Sequence, residues 1–299
     1  MRLHALLLPD QPWEVLVSRA RVLEALGVAS LWVDDHIAHP ARPSGPWLDA
    51  WSVLAGLSQV TTRIGLGTLV SNPVLRPPAT LARQALSIEH LSGGRLELGL
   101  GSGYSPGDHA AAGVPLWPGP ERAAHFRTFV ATVAATVRGA AAAGSSAAGG
   151  EGAGGEGAGI GGVPGPWAPR PTRKIPLTVA AHGPRALRVA AEYGDRWVSY
   201  GGFGLTAAEH LDVTRRRADA LHRACEETGR DPSTLRKALL LGSKATTEHP
   251  IWTSADRVRE HLARYEKIGI DDAILYYPPS DVWPPGEATD GVFEELWCP

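Results

Sequence analysis

An acidic pair followed by a histidine, Asp34-Asp35-His36, stands at the end of the apolar run in LWVDDH. Imidazole has a reference pKa of about 6.5, so His36 is the side chain best suited to exchange a proton near neutral pH. His39 follows three residues later, and two histidines at this spacing are a weak indication of a metal site. A metal-dependent barrel hydrolase usually carries a paired H-x-H on its first strand, where His4 stands alone. We therefore expect proton transfer and no bound metal.

Three glycines alternate at Gly99, Gly101 and Gly103, where an apolar run ends in LGLGSGYSPGDH. Bare backbone at such positions would let a planar ligand lie against the chain. The order GxGxG differs from the GxGxxG of dinucleotide-binding folds, and SPGDH predicts no immediate helix after the glycines. A P-loop is excluded because no GK[ST] follows.

The stretch AAHGPRAL predicts a strand that passes directly into a helix. Pro184 suits the first helical position, and the first-turn amides then point beyond the end of the strand. This arrangement predicts a phosphate site at the helix start, with an unliganded turn as the alternative. Arg185 either assists the phosphate or lies in solvent.

Short apolar runs alternate with helix-period segments along the chain and would position these groups. The predicted strands are 3–8, 30–35, 63–70, 95–100, 175–180, 196–200, 235–241 and 272–277. The predicted helices are 14–26, 48–60, 78–91, 121–138, 184–193, 206–228 and 254–268.

The almost continuously apolar strands indicate parallel strands buried on both faces. Eight such strands separated by helices favour an α/β fold of the closed (β/α)₈ TIM-barrel type, whose functional groups lie at the C-terminal strand ends. Residues 1–299 are predicted to form one domain. Residues 139–171 form a Gly/Ala/Pro-rich insertion between the fourth and fifth strands, predicted to be flexible because it offers few apolar side chains. The insertion is either a tolerated surface expansion or a mobile lid over the active face.

The composition is that of an ordinary soluble protein. The chain has 299 residues, 43% apolar and 20% charged, with a net charge of −2, so no global field favours nucleic acid or an anionic membrane. Cys225 and Cys298 lie far apart and are expected to be unpaired thiols in a reducing compartment. No apolar run approaches the roughly 18 residues of a spanning helix, and a cytoplasmic enzyme is expected.

Four segments together resemble the luciferase-like monooxygenase superfamily, and within it the branch of coenzyme F420-dependent oxidoreductases. The matching segments are LWVDDH (31–36), 63–104, 175–198 and IGIDDAILYYPP (268–279). Each segment alone is a weak signal, whereas their order and spacing are specific.

The resemblance implies a luciferase-like barrel that binds the deazaflavin F420 at its C-terminal face. Asp35 and His36 would approach the ring near the site of hydride transfer. Leu69 and Val70 would form a bulge with a non-prolyl cis peptide behind the ring. Asn72, the only asparagine of the chain, would hydrogen-bond the ring or neighbouring backbone. The cofactor tail and phosphate would contact Gly101, Ser102, Gly103, Ala181, His182 and Gly183.

This chain departs from the sugar-phosphate dehydrogenases of that branch. Tyr104 stands where they carry a glutamate, and Pro40 stands where they carry a tryptophan. Tyr104 is therefore assigned either as a catalytic acid or as a pocket wall. The expected pocket is apolar and aromatic, formed by Trp47, Tyr200 and Tyr276 with Asp108 and His109 as polar members. Such a pocket suits a small organic substrate, of the kind found among secondary metabolites, better than a sugar phosphate.

Three functions follow from the residues and the resemblance. The first is an oxidoreductase that uses F420H2 to transfer a hydride to a C=C or C=N bond. The second is an FMN-dependent monooxygenase that activates O₂ with a reductase partner. The third is a non-catalytic flavin-binding barrel. A homodimer through the apolar helix 48–60 is a further expectation, with packing of that helix on its own barrel as the alternative.

Overall fold

Of the ten strands in the described part of the chain, eight run parallel and form one closed sheet in the computed structural model. The strands are β1 (Arg2–Leu7), β2 (Ser30–Val33), β3 (Gly65–Ser71), β4 (Leu96–Leu100), β5 (Gly157–Ile160), β6 (Val163–Gly165), β7 (Leu177–Ala180), β8 (Arg196–Tyr200), β9 (Arg236–Leu241) and β10 (Asp272–Tyr276). Around the barrel their order is β1-β10-β9-β8-β7-β4-β3-β2, and β1 pairs with both β2 and β10. The predicted eight-stranded parallel barrel is confirmed.

The structure describes residues 1–40, 42–145, 157–160, 163–165, 171, 173–201, 205–241, 251–281 and 290–297. The helices are α1 (Trp13–Leu26), α2 (Ala50–Val60), α3 (Pro78–Leu91), α4 (Pro106–Ala112), α5 (Gly119–Ser145), α6 (Pro184–Tyr193), α7 (Ala207–Glu227), α8 (Ala255–Glu266) and α9 (Asp290–Glu295). The bounds predicted for α3 and α6 coincide with those observed. No described helix is long and apolar enough to cross a membrane.

The segment after the strand-four glycines differs from its prediction. SPGDH was expected not to begin a helix, but α4 starts at Pro106 with Ser105 as its N-cap. The Ser105 hydroxyl accepts a hydrogen bond from the backbone N–H of Asp108 at 3.3 Å. A helix of seven residues contains too few apolar positions to show a helical period, which explains the error.

The insertion begins later than the sequence pattern indicates. Helix α5, predicted to end at residue 138, continues to Ser145 because alanine-rich sequence is a good helix former. Strands β5 and β6 then pair with each other in an antiparallel ladder outside the barrel. Most other residues of 139–171 lie outside the described ones, so the flexibility and the role of this insertion stay predictions, as does the single domain of residues 1–299.

The interior of the barrel is divided into an apolar floor and a charged lower end. The floor is a cluster of buried side chains: Leu6, Trp32, Leu69, Val198, Ala238 and Ile274. At the N-terminal end, the Asp272 carboxylate accepts hydrogen bonds from Arg196 and Arg236, and Arg196 also pairs with Glu97. These groups fill the N-terminal end of the barrel interior.

Helix α2 buries its apolar stripe against its own barrel. Trp51, Leu54 and Leu57 are all buried within the chain. This is the packing that the sequence left as the alternative to an interface, and the homodimer stays a prediction.

Candidate active site

A cavity of about 1260 Å³ opens among the C-terminal ends of the barrel strands. Most of the predicted site residues line it: His36, Leu69, Val70, Asn72, Gly101, Ser102, Gly103, Tyr104, Asp108, Ala181, His182, Gly183, Tyr200 and Tyr276. These residues lie around one cavity because the parallel topology brings the C-terminal end of every strand to the same face of the barrel. The individual roles assigned to them stay predictions.

Three residues predicted for the site do not line the cavity. Asp35 is buried beneath it, where its carboxylate accepts hydrogen bonds from Arg76 and from the Ser71 hydroxyl. Side chains alternate along the extended chain from Trp32, which points into the barrel, so Asp34 also points inward and Asp35 points outward. The expectation that Asp35 approaches the ring is therefore wrong.

Trp47 and His109 support the cavity loops from outside. The Trp47 indole N–H donates to the backbone oxygen of His36 at 2.9 Å, which fixes the loop after β2. His109 is buried, and its ring nitrogens face the carbonyl oxygens of Pro115 and Gly103 at 2.7 and 3.2 Å. The sequence led us to expect both residues in the pocket lining, but instead they shape the site through contacts with backbone oxygens.

His36 lies between two carboxylates at the cavity edge. Its Nδ1 is 2.6 Å from Asp108 Oδ2, and its Nε2 is 3.6 Å from Asp34 Oδ1. Burial by itself lowers the pKa of His36, but the charge of Asp34 and the hydrogen bond of Asp108 outweigh burial and raise this pKa to about 9. His36 is therefore an imidazolium at neutral pH.

Asp34 is a cavity residue that the sequence-based site did not include. Burial, with the nearby Asp35 and Asp108, raises the pKa of Asp34 to about 6, against the opposing charge of His36. Alternation of side chains selects Asp34 over Asp35 only once the structure shows that Trp32 points into the barrel.

Strand β3 bulges at its C-terminal end, as the resemblance implied. The Leu69–Val70 peptide is cis, and the pairing of β3 with β4 shifts register between Thr68 and Ser71. Both residues of the cis peptide line the cavity.

Gly99 and Gly101, at the C-terminal end of β4, make room for this bulge. A Cβ atom at Gly99 would lie 1.9 Å from the Thr68 carbonyl oxygen, and one at Gly101 would lie 2.3 Å from Val70 Cγ2. The interpretation that these glycines bare the backbone for a ligand thus needs correction at both positions, because the neighbouring strand itself fills the space. Gly101 still borders the cavity.

Asn72 is buried and bonded to its own loop. Its Oδ1 accepts the backbone N–H of Val74 at 3.0 Å, which confirms the predicted contact with neighbouring backbone. Because Oδ1 is used in this turn, the amide N–H₂ is the part of Asn72 that remains for a ligand.

The turn between β7 and α6 forms another wall of the cavity. His182 Nε2 accepts the backbone N–H of Tyr200 at 3.0 Å, so the imidazole is neutral with its proton on Nδ1. Desolvation and the nearby Arg217 guanidinium lower the pKa of His182 to about 4, which agrees with that tautomer. Gly183 is the N-cap of α6 and Pro184 its first residue, as predicted.

Four arginines line the cavity: Arg42, Arg122, Arg185 and Arg217. Arg217 donates to the backbone oxygens of Tyr200 and Gly201 at 2.8 and 3.1 Å. Among the described residues, the guanidinium groups of Arg122 and Arg185 have no hydrogen-bonding or ion-pair partner. Arg122 and Arg217 lie on long helices, where an arginine is ordinarily a solvent-facing residue, so no sequence pattern selects them.

The cavity fits a planar heteroaromatic group that carries an anionic tail. Apolar side chains of Leu6, Val198 and Leu240 offer surfaces for a ring. The α6 N-terminus with the unpaired Arg122 and Arg185 offers donors for phosphate or carboxylate. Within the part of the chain that the structure describes, no group of three or more His, Cys, Asp or Glu side chains could hold a metal ion.

Comparisons with known proteins agree with this architecture. The model of the luciferase-like monooxygenase family matches residues 1–244. An uncharacterized protein of Mycobacterium tuberculosis is 30% identical over 199 residues, covering 61% of this chain and 64% of that protein. The F420-dependent glucose-6-phosphate dehydrogenase of Beutenbergia cavernae is 29% identical over 280 residues, covering 90% of this chain and 76% of that enzyme.

Solved structures share the fold at low sequence identity. An F420-dependent secondary alcohol dehydrogenase in complex with an F420-acetone adduct is 16% identical and superposes with a TM-score of 0.71 over 99% of this chain and 97% of that chain. Because the family model covers most of the sequence and the fold agrees, this chain belongs to the luciferase-like monooxygenase family.

Proposed function

We propose that this protein is an F420-dependent oxidoreductase that transfers a hydride to a small organic substrate. The observation that carries the proposal is the His36 imidazolium, which lies at the edge of the cavity that the Leu69–Val70 bulge also lines. Relatives named as F420-dependent dehydrogenases of glucose 6-phosphate and of hydroxymycolic acid support the choice of cofactor.

The bound reduced deazaflavin would supply a hydride. Leu69 and Val70 would back its ring, and Asn72 would offer its amide N–H₂ to a ring oxygen. The α6 N-terminus with Arg122 and Arg185 would hold the anionic tail. These assignments leave the side of the cavity lined by His36 and Tyr104 for the substrate.

His36 would supply the proton that accompanies the hydride. A polarised C=C or C=N bond needs one hydride and one proton, and the imidazolium has a proton to give at neutral pH. Tyr104, Tyr200 and Tyr276 provide aromatic walls that suit an apolar organic molecule. A C=O bond takes the same two particles, and one relative is named a ketoreductase, so both bond types belong in the test.

The decisive test is a fluorescence titration of the purified protein with F420, F420H2 and FMN. We expect F420 and F420H2 to bind and FMN to be ignored. Oxidation of F420H2 is then followed with one activated alkene, one imine and one ketone as substrates. With any substrate that is reduced, the turnover rate of His36→Gln should be about 100-fold lower than that of the wild type. Binding of FMN alone would contradict the proposal and favour the oxygen-dependent monooxygenase. Tight F420 binding with unchanged properties in His36→Gln would favour the non-catalytic barrel.

A further inference from the structure

Asp108 is fixed so that only one of its carboxylate oxygens is available to His36. Its Oδ1 accepts the backbone N–H of Ile37 at 3.0 Å, and its Oδ2 lies 2.6 Å from His36 Nδ1. The Asp108 backbone is held by the Ser105 cap of α4, and the side chain is only 3% exposed. The loop after β2 and helix α4 are therefore joined through this one carboxylate.

A carboxylate in this position determines where the imidazole carries its proton. The carboxylate accepts a hydrogen bond from Nδ1–H, and so it holds the imidazole ring in one orientation. The other nitrogen, Nε2, then faces Asp34, whose side chain lines the cavity. The two acids thus lie on opposite sides of one imidazole, with Asp34 on the cavity side.

We propose that Asp108 is a positioning residue that keeps the His36 proton on Nδ1 and directs Nε2 into the cavity, and that Asp34 is a second proton carrier beside Nε2. The inference rests on the proposed hydride transfer. In reduction, the Nε2–H bond breaks and a bond forms from this hydrogen to the substrate atom beside the carbon that receives the hydride. The electron pair stays on Nε2, which takes a new proton from the Asp34 carboxyl group, and Asp34 is reprotonated from water.

The charges around His36 agree with this assignment. Asp34 faces it from its own loop and Asp108 faces it from α4, while the charge of the neighbouring Asp35 also acts on it. The other histidine of the loop, His39, is also close enough to interact with His36. The three carboxylates retain the imidazolium up to about pH 9, and Asp34 itself holds a proton below about pH 6.

The test begins with cofactor-free protein, so it does not depend on turnover. The His36 ring is titrated by NMR in the wild-type protein, Asp108→Asn and Asp34→Asn, with the resonance assigned by its loss in His36→Gln. We expect a midpoint near pH 9 in the wild type, and a midpoint at least about one unit lower in Asp108→Asn, a tenfold loss of proton affinity. The exposed His222, which pairs with Glu226 on α7, is the internal control and should not move.

The wild-type protein alone supplies a second readout if Asp108→Asn does not fold. Above the midpoint, nitrogen chemical shifts should show neutral His36 with its proton on Nδ1. A proton on Nε2 would overturn the positioning role, as would an unchanged midpoint in a folded Asp108→Asn.

Turnover measurements then distinguish the role of Asp108 from that of Asp34. In Asp108→Asn the kcat for reduction should fall about 100-fold while KM and the affinity for F420 stay unchanged, and Asp108→Glu should restore part of the loss. In Asp34→Asn the change of rate near pH 6 should disappear. Persistence of that change would refute the role of Asp34. Failure to bind F420 would count against the proposed function and leave the NMR result on His36 standing.

Discussion

The Arg76 guanidinium donates two hydrogen bonds to the Asp35 carboxylate, at 2.5 Å and 3.2 Å. This pair joins the loop after β2 to the segment that follows β3, and the Ser71 hydroxyl donates to the same carboxylate. Asp35 therefore stabilises the loops that carry the site, while its neighbour Asp34 faces the cavity.

Asp35→Asn should destabilise the fold rather than act on the chemistry directly. Arg76 would remain buried without its main acceptor, and breaking such a buried pair costs about 3–5 kcal/mol of unfolding free energy. Urea unfolding measures this change. Asp212→Asn, which affects only surface pairs on α7, is the control and should leave the free energy of unfolding close to that of the wild type. An Asp35→Asn protein as stable as the wild type would return Asp35 to the list of catalytic candidates.

Gly101→Ala should destabilise the protein much more than Gly183→Ala does. A methyl group at Gly101 meets Val70 at 2.3 Å, so it should cost about 1–3 kcal/mol by overpacking. A methyl group at Gly183 meets nothing within 4 Å at a φ of −87°. The gain of about 0.4–1 kcal/mol from a less flexible unfolded chain is opposed by the preference of an N-cap for glycine over alanine, so stability should stay close to that of the wild type.

The same pair tests the cofactor tail site. If the tail lies at the α6 N-terminus, the Gly183 methyl group should weaken F420 binding without loss of stability. Thermal unfolding and F420 titration on both variants provide the measurement. Full F420 affinity in Gly183→Ala would argue that the tail lies elsewhere in the cavity.

Asp272 should make the barrel sensitive to acid. Burial alone would raise its pKa, but the nearby His4 and the Arg236 and Arg196 guanidiniums hold the pKa of Asp272 well below its usual 3.8. A lowered carboxyl pKa contributes stability that is present above pH 3.8 and is lost as the pH falls toward the folded-state value. Asp272→Asn should therefore cost about 3–5 kcal/mol at pH 7 and lose less stability on acidification than the wild type does.

Denaturant unfolding between pH 7 and pH 2 checks this prediction, with Glu260→Gln as the exposed control. Parallel loss of stability with falling pH in the wild type and in Asp272→Asn would contradict it.

Tyr104→Phe should keep most of the turnover. Burial and the carboxylates of Asp34 and Asp108 raise the pKa of Tyr104, so its phenol is a poorer acid than the His36 imidazolium. Among the described residues, the hydroxyl has no hydrogen-bonding partner, and the side chain is 58% exposed at the cavity mouth. We expect kcat within about threefold of the wild type, against about a 100-fold loss in His36→Gln. A loss as large as that of His36→Gln would make Tyr104 the acid.

The barrel could be predicted because its signals are local. Continuous apolar runs such as RLELGL and amphipathic helices such as 184–193 depend on the pattern of one short segment. Helix α4 escaped prediction because seven residues do not establish a period. The continuation of α5 to Ser145 escaped because composition alone suggested a flexible tract there.

The sequence by itself determined that the polar groups after each strand meet on one face, since parallel strands in a barrel permit no other arrangement. Tertiary structure alone decided which of the adjacent Asp34 and Asp35 enters the cavity, because a single residue of register reverses the direction of a side chain. It also decided that Gly99 and Gly101 accommodate the β3 bulge, and that Asp108 meets His36 across 72 positions of the chain. Such contacts depend on the packing of neighbouring strands and helices, which no local pattern contains.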